Sequence, residues 1–333
     1  MTRRRVLALA AASILPALGA LAVGMTAAQP AQAQSAYPDH PIRFVVPFGA
    51  GGVGDTTARV VAEKLGEKLG QRVVVENAPG AGGIAAARAV LTAPADGYTL
   101  ALLTNGTSIS VGLFKKLAYD PLADYAPVSK LGRFEFFVAV KGDSPFRTLA
   151  DLIKEARANP GKLNIGTINP GSTQHLSAML LKSTAGIQFQ LVPFRNSGDL
   201  QVAVLRGDVD AAIDAYVAIK GNLDGGKVRA LASTAGKRFP LLPDVPTARE
   251  AGAGDYETVS WNGIFVKTGT SPAIVAQLNK AAAEVLADPA LTQKLLKLGI
   301  IADPSTPEAL TTFFKGDIAK WTDVIEKNKI EKR

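Results

Sequence analysis

The feature that most constrains this chain is a repeated switch between two apolar periods. Short runs rich in β-branched and aromatic residues alternate with stretches whose apolar residues recur every three or four positions. Residues 42–48 (Ile42-Arg43-Phe44-Val45-Val46-Pro47-Phe48) read as a strand. An amphipathic helix is expected over about 55–69, with Val60, Val61, Leu65 and Leu69 on one face. Residues 73–77 and 98–104 read as the next two strands, and Pro79-Gly80-Ala81-Gly82-Gly83 opens a second helix between them. The alternation then restarts with a helix at 149–158, a strand at 163–167, and a helix at 172–183 that has Ser172 as its N-cap. A strand at 188–194, a helix at 200–206 and strands at 211–215 and 228–233 follow. A return strand at 259–266 precedes closing helices at 272–286, 291–298 and 307–328. Short strands split by helices specify parallel βαβ units. Two such runs, with crossings near 136–140 and 261–266, predict two α/β lobes around a cleft. The first would hold residues 34–139 and 260–333, the second 140–259. No repeat of 20–50 residues is visible in the sequence.

The N-terminus follows a different pattern. Arg3, Arg4 and Arg5 precede an uncharged Ala/Leu/Gly-rich stretch that runs to about Ala28, and Ala31-Gln32-Ala33 is a small-x-small cleavage signature. The alternative is a retained membrane anchor, since the stretch is about long enough to span a bilayer. Pro16 and the Ala-Gln-Ala exit favour a cleavable export signal at 1–33, cut between Ala33 and Gln34. Thr2-Arg3-Arg4-Arg5-Val6-Leu7 also resembles a twin-arginine motif. The destination is then the periplasm. The formal charge of +8 falls to +5 once the three arginines leave. That excess is too diffuse for nucleic acid, but it favours anionic ligands. The chain has no cysteine, which excludes disulfides, thiolate metal sites and a cysteine nucleophile.

Gly49-Ala50-Gly51-Gly52-Val53-Gly54 fits G-x-G-x-x-G, and Glu76 stands where a ribose-binding acid belongs. Taken alone, this is a dinucleotide fingerprint. Pro47-Phe48 stretches the turn, however, a second Gly-rich turn occupies 79–83, and an exported chain meets little NAD. The same physics suits a smaller anion. Backbone N–H groups and the helix dipole favour negative charge at a helix start, and glycine lets a ligand approach closely. The alternative is that the glycines only make tight turns.

Ordered blocks along the chain resemble the Bug family, the periplasmic substrate-binding proteins of tripartite tricarboxylate transporters. They begin with Pro41–Phe48, Gly51-Gly52, Asp55 and Ala58-Arg59. Gly70-Gln71-Arg72, Asp96-Gly97-Tyr98, Gly171-Ser172-Thr173-Gln174-His175, Val192-Pro193-Phe194 and Gly207-Asp208-Val209-Asp210 continue the match, and Leu242-Pro243-Asp244-Val245-Pro246-Thr247, Glu250-Ala251-Gly252, Trp261 and Gly269-Thr270 close it. The resemblance implies a type II periplasmic-binding-protein fold: two α/β lobes joined by two crossing segments, with a ligand cleft between them. It implies no catalysis and no cofactor. It implies a small carboxylate ligand, often a dicarboxylate, passed to the membrane permease subunits of such a transporter by a receptor expected to be a monomer. It also maps pocket elements onto Phe48, Gly49, Ala50, Gly51, Gly52 and Asp55, and onto Ser172, Thr173 and His175. The chain departs from the family pattern at Gly49-Ala50 and over Phe194-Arg195-Asn196-Ser197-Gly198-Asp199, where distal ligand contacts belong.

Each candidate has a structural alternative. Asp55 caps the first helix or meets ligand. Ser172 and Thr173 cap a helix or serve a carboxylate, and His175 contacts ligand or holds its loop. Thr104, Asn105 and Thr107 follow the third strand and are pocket candidates. Gly82 belongs to the second Gly-rich turn. Phe48 and Phe194 offer apolar surface at the cleft rim, and Asn196 sits beside Arg195, which would clamp a second carboxylate. Asp214, at a strand end, accepts from a ligand or from a loop amide. His40 and His175 are the only histidines. They supply neither a paired-histidine metal site nor a Ser-His-acid triad, and no G-x-S-x-G elbow occurs. The rival to a transport receptor is a co-receptor feeding a signalling system; a periplasmic enzyme lacks its nucleophile.

Overall fold

Two successive runs of the chain build the same motif. The computed structural model describes residues 37–333, and the segment read as an export signal lies outside the described residues. The first run is β1 (Ile42–Val46), α1 (Val53–Leu69), β2 (Val73–Asn77), a 3-10 turn (Ala81–Gly83), α2 (Ile84–Leu91), β3 (Thr99–Thr104) and α3 (Asn105–Leu113). β1 pairs in parallel with both β2 and β3. After α4 (Leu149–Ala158), the second run is β5 (Asn164–Ile168), α5 (Thr173–Ala185), β6 (Gln190–Phe194), α6 (Ser197–Arg206), β7 (Ala211–Ala215) and α7 (Tyr216–Asp224). Here β5 pairs in parallel with β6 and β7. The strand orders β2-β1-β3 and β6-β5-β7 therefore repeat in topology, although the sequence carries no repeat.

Two antiparallel strands link the runs. β4 (Tyr125–Lys141) pairs over its first part with β9 (Val259–Lys267), which pairs in turn with β3. Over its second part β4 pairs with β7 and with β8 (Val228–Ser233). α8 (Pro272–Leu286), α9 (Pro289–Lys297), the short β10 (Ile301–Ala302) and α10 (Pro307–Lys327) close the chain.

The register fixes where the strand ends meet. Thr104, the last residue of β3, stands opposite Asn262 of β9, which stands opposite Gly132 of β4. Ala215, the last residue of β7, stands opposite Phe136 of β4. β3 runs with β4 and β7 runs against it, so the carboxyl ends of the two sets point at each other. Only the stretch from Gly132 to Phe136 separates them, about 13 Å of extended strand. Carboxyl ends of α/β strands are where such sheets hold ligands.

Burial explains the elements. β1 is buried at Ile42, Phe44, Val45 and Val46, as expected for a parallel strand covered on both faces. Val61 and Leu65 of α1 pack on it together with Leu100, Leu102 and Ile264. A second core holds Val138, Leu152, Ile165, Leu181 and Ile213. A smaller cluster joins α3, α5 and α10 through Ile109, Leu113, Leu176, Trp321 and Ile325.

Three features differ from the sequence expectations. The crossing near 136–140 belongs to a single 17-residue strand. Its register shifts at Pro127/Ser129 and Lys130/Gly132 break the alternation that reveals a strand. The stretch after β3 is a helix, although Asn-Gly-Thr-Ser has poor helix propensity; a capping box between Thr104 and Thr107 starts it. α7 was not foreseen either.

Candidate functional site

The loop between β1 and α1 is exposed from Phe48 to Gly52. Gly51 has φ +90, a conformation in which any side chain is strained, and a Cβ placed on Gly52 would meet nothing within 4 Å. Gly52 is the N-cap of α1, and no side chain among the described residues caps this helix. Its first turn therefore presents backbone donors and the positive end of the helix dipole beside an open, glycine-lined surface.

Asp55 holds this loop in shape. Its Oδ2 accepts from the Gly51 amide at 2.9 Å and from Arg59 Nε at 3.0 Å, and its Oδ1 accepts from Asn77 Nδ2 at 2.8 Å. Asn77 also donates to the Phe48 carbonyl and accepts from Arg59. Burial pushes the Asp55 pKa up, but the hydrogen bonds from Arg59, Asn77 and Gly51 outweigh it and bring it to about 2. Asp55 is thus an internal anchor placed at the third helical position. Phe48 is 39% exposed and lies over Gly54, where a Cβ would sit 2.8 Å from its ring. Glu76, the would-be ribose acid, pairs with Arg43 at 2.8 Å. The second Gly-rich turn is pinned from outside. Tyr119 donates to the Gly82 carbonyl at 2.9 Å, and the Phe114 ring faces Gly82.

The facing loops of the second run are finished differently. Ser172 caps α5 by accepting from the His175 amide, and it donates to the Ile168 carbonyl. His175 Nδ1 accepts from the Gly171 amide at 3.4 Å. Burial and the nearby Arg333 lower its pKa, which suits an imidazole that accepts. Asn196 caps α6 by accepting from the Asp199 amide at 2.9 Å. Phe194 is half-buried, and Arg195 is 88% exposed beside Asp199. Asp214 is fully buried. It accepts from Ser197, the Ala215 amide, Gln174 and Gln201, all uncharged. Burial raises its pKa against those hydrogen bonds.

The two runs touch at one flank. Thr173 donates to Asn105 Oδ1 at 2.8 Å, and Asn105 Nδ2 donates to Asp317 of α10 at 3.1 Å. Trp261 and Trp321 donate their indole N–H groups to the same carboxylate at 2.8 and 3.0 Å. Arg333 bridges here too, pairing through its backbone with Leu113 and Lys115 and donating from its guanidinium to the Pro170 carbonyl.

The predicted residues therefore fall into three groups. Phe48, Gly49, Ala50, Gly51 and Gly52 line an exposed loop, with Asp55 behind it. Thr104, Asn105, Thr107, Ser172, Thr173 and His175 gather at the flank where α3 meets α5, with Thr104, Asn105 and Thr107 buried. Asn196 is exposed, while Asp214 sits below the surface and takes the loop-amide alternative. Arg59, Asn77 and Asp317 have no site role in the sequence reading, where Arg59 enters only as part of a matching block. Asn77 ends a strand beside the Gly-rich turn, and Asp317 stands one helical turn before Trp321; those spacings were the available signals. Among the described residues, no cluster of three histidines or carboxylates could hold a metal ion.

A family model described as the tripartite tricarboxylate transporter family receptor matches residues 57–330. An R. palustris structure with adipate is 35% identical, covers 89% of this chain and 100% of its own, and superposes with a TM-score of 0.78. The periplasmic binding protein BugD is 31% identical over 89% of this chain and 100% of its own, with a TM-score of 0.74. MatC from Rhodopseudomonas palustris with bound malate is 34% identical over 87% of this chain and 100% of its own, with a TM-score of 0.73.

Proposed function

Because this chain belongs to the tripartite tricarboxylate transporter receptor family, whose members bind solutes rather than transform them, we propose that it captures a small dicarboxylate in the periplasm and hands it to its transporter's membrane subunits. The observation that carries this reading is the uncapped start of α1 inside an exposed glycine loop. A ligand carboxylate fits there because the free amides of a helix start donate to it without a counter-cation. Asp55 keeps the loop in register for that contact.

In this reading the two runs act as lobes, residues 37–139 with 260–333 against 140–259, hinged through β4 and β9. Ser172, Thr173 and the start of α6 close from the other side. Adipate and malate, held by the two R. palustris relatives, are both dicarboxylates and set the expected ligand class. The reading of 1–33 as an export signal and the periplasmic BugD neighbour support the location.

Isothermal titration against C4–C8 dicarboxylates, citrate, acidic amino acids and aromatic carboxylates tests the proposal. At least one dicarboxylate should bind in the micromolar range. At about 100 times its Kd it should stabilise the fold by roughly 2.7 kcal/mol. Neither heat nor a melting shift across the whole panel overturns the reading.

A further inference from the structure

A partly buried carboxylate held by donors from several elements fixes those donors in turn. Asp317 is in that position. Trp261 of β9, Asn105 of α3 and Trp321 of its own helix all donate to it. Asn105 and both indoles are buried. A carboxylate only accepts, so the amide nitrogen of Asn105 must face Asp317. The amide oxygen must then face the other way, toward Thr173, whose hydroxyl donates to it across the two runs. Without Asp317 the amide nitrogen loses its acceptor, and Asn105 is no longer held where Thr173 meets it.

We propose that Asp317 is a positioning residue for ligand capture: by holding Asn105 in place it keeps the amide that Thr173 must meet for the two sets of strand ends to lock over a carboxylate. The C-terminal helix α10 thereby acts on the affinity of the cleft through Asn105. This deepens, and rests on, the carboxylate-receptor reading above. Because the lock joins protein to protein, it strengthens the binding of every ligand by the same factor and acts on escape more than on entry. The chain's two tryptophans both donate to Asp317, so their emission reports on this node.

The test uses Asp317→Ala, Thr173→Val and the double variant, with adipate and malate as probes. Each single substitution should weaken both ligands by a similar factor, about five- to tenfold for one partly buried hydrogen bond, and mainly through faster dissociation. The double variant should be no worse than the weaker single, because both break one path. Adipate should change tryptophan emission in the unsubstituted protein with the midpoint seen by calorimetry, and Asp317→Ala should abolish that change. Additive affinity losses, a Thr173→Val loss that differs between adipate and malate, or emission that ignores saturating adipate would each overturn the inference. The same cycle is also read by denaturant unfolding without ligand, where non-additive losses support the Asp317–Asn105–Thr173 path and additive ones reject it. If no carboxylate binds the unsubstituted protein, the receptor reading fails while this ligand-free arm still decides the positioning inference.

Discussion

The first and second runs of the chain share one topology and finish their facing ends in opposite ways. In the first, α1 starts at a bare glycine with no side-chain cap, inside an exposed loop. In the second, Ser172 and Asn196 cap α5 and α6, and α5, α6 and α7 all begin around the buried carboxylate of Asp214. Three helix starts gathered on an internal carboxylate are already served. One helix start held open by Asp55 is not. On the proposed reading, the first half would supply the anion seat and the second a rigid cover.

The largest expected effect breaks the cover. Asp214→Ala strands four buried or half-buried donors, and it should cost about 3 kcal/mol of stability by denaturant unfolding. Asp214→Asn keeps an acceptor and should cost less. An Ala variant as stable as the unsubstituted protein would mean that the second half is not organised around this carboxylate.

The next effect concerns the seat's frame. The Asp55 pKa is depressed to about 2, so its contribution to stability is present above the ordinary value near 3.8 and is lost as pH falls through about 2. Arg59 is half-exposed and solvent weakens the pair, so the contribution is on the order of 1–2 kcal/mol. Acid titration of unfolding free energy should show this slope, and Asp55→Asn should flatten it. An unchanged slope would remove Asp55 as the anchor of the loop.

How far the sequence reveals this asymmetry depends on the residue. The strands of both runs were legible because buried parallel strands are short apolar runs between helical periods, as at 42–46 and 211–215. The Gly-rich loop was legible because glycine there answers a local backbone need. Asp55 was recognisable as a helix-start acid, but its grip on Asn77 was not, since that contact joins residues 22 apart through strand pairing. Asp317 was invisible for the same reason: its partners come from β9 and α3, more than 50 and 200 residues away. The 17-residue β4 was hidden by its own bulges.

A smaller effect separates seat from frame. Gly52 has φ −75, and a Cβ there meets nothing within 4 Å, so Gly52→Ala should leave stability within about 0.5 kcal/mol. Its methyl group would nonetheless stand at the helix start, and carboxylate binding should weaken about tenfold, a loss of about 1.4 kcal/mol. Binding unchanged by calorimetry would move the seat elsewhere. Gly51→Ala is the control, because φ +90 makes it lose stability as well.

The smallest effect asks whether the cover offers any charge of its own. With Asp214 holding the buried position, a second carboxylate bound on the proposed reading would draw on a cation nearer the surface. Arg195 stands at the start of α6, 88% exposed and only 3.3 Å from Asp199. Such a pair adds little to folding, so Arg195→Ala should shift stability by less than about 0.5 kcal/mol. If Arg195 turns toward ligand, adipate should lose about threefold in affinity while hexanoate, of the same length but with one carboxylate, loses nothing, and the adipate loss should shrink in high salt. Equal losses for the two would make Arg195 part of the general field, and the distal end of the ligand would then rest on polar groups of the α5 and α6 starts alone.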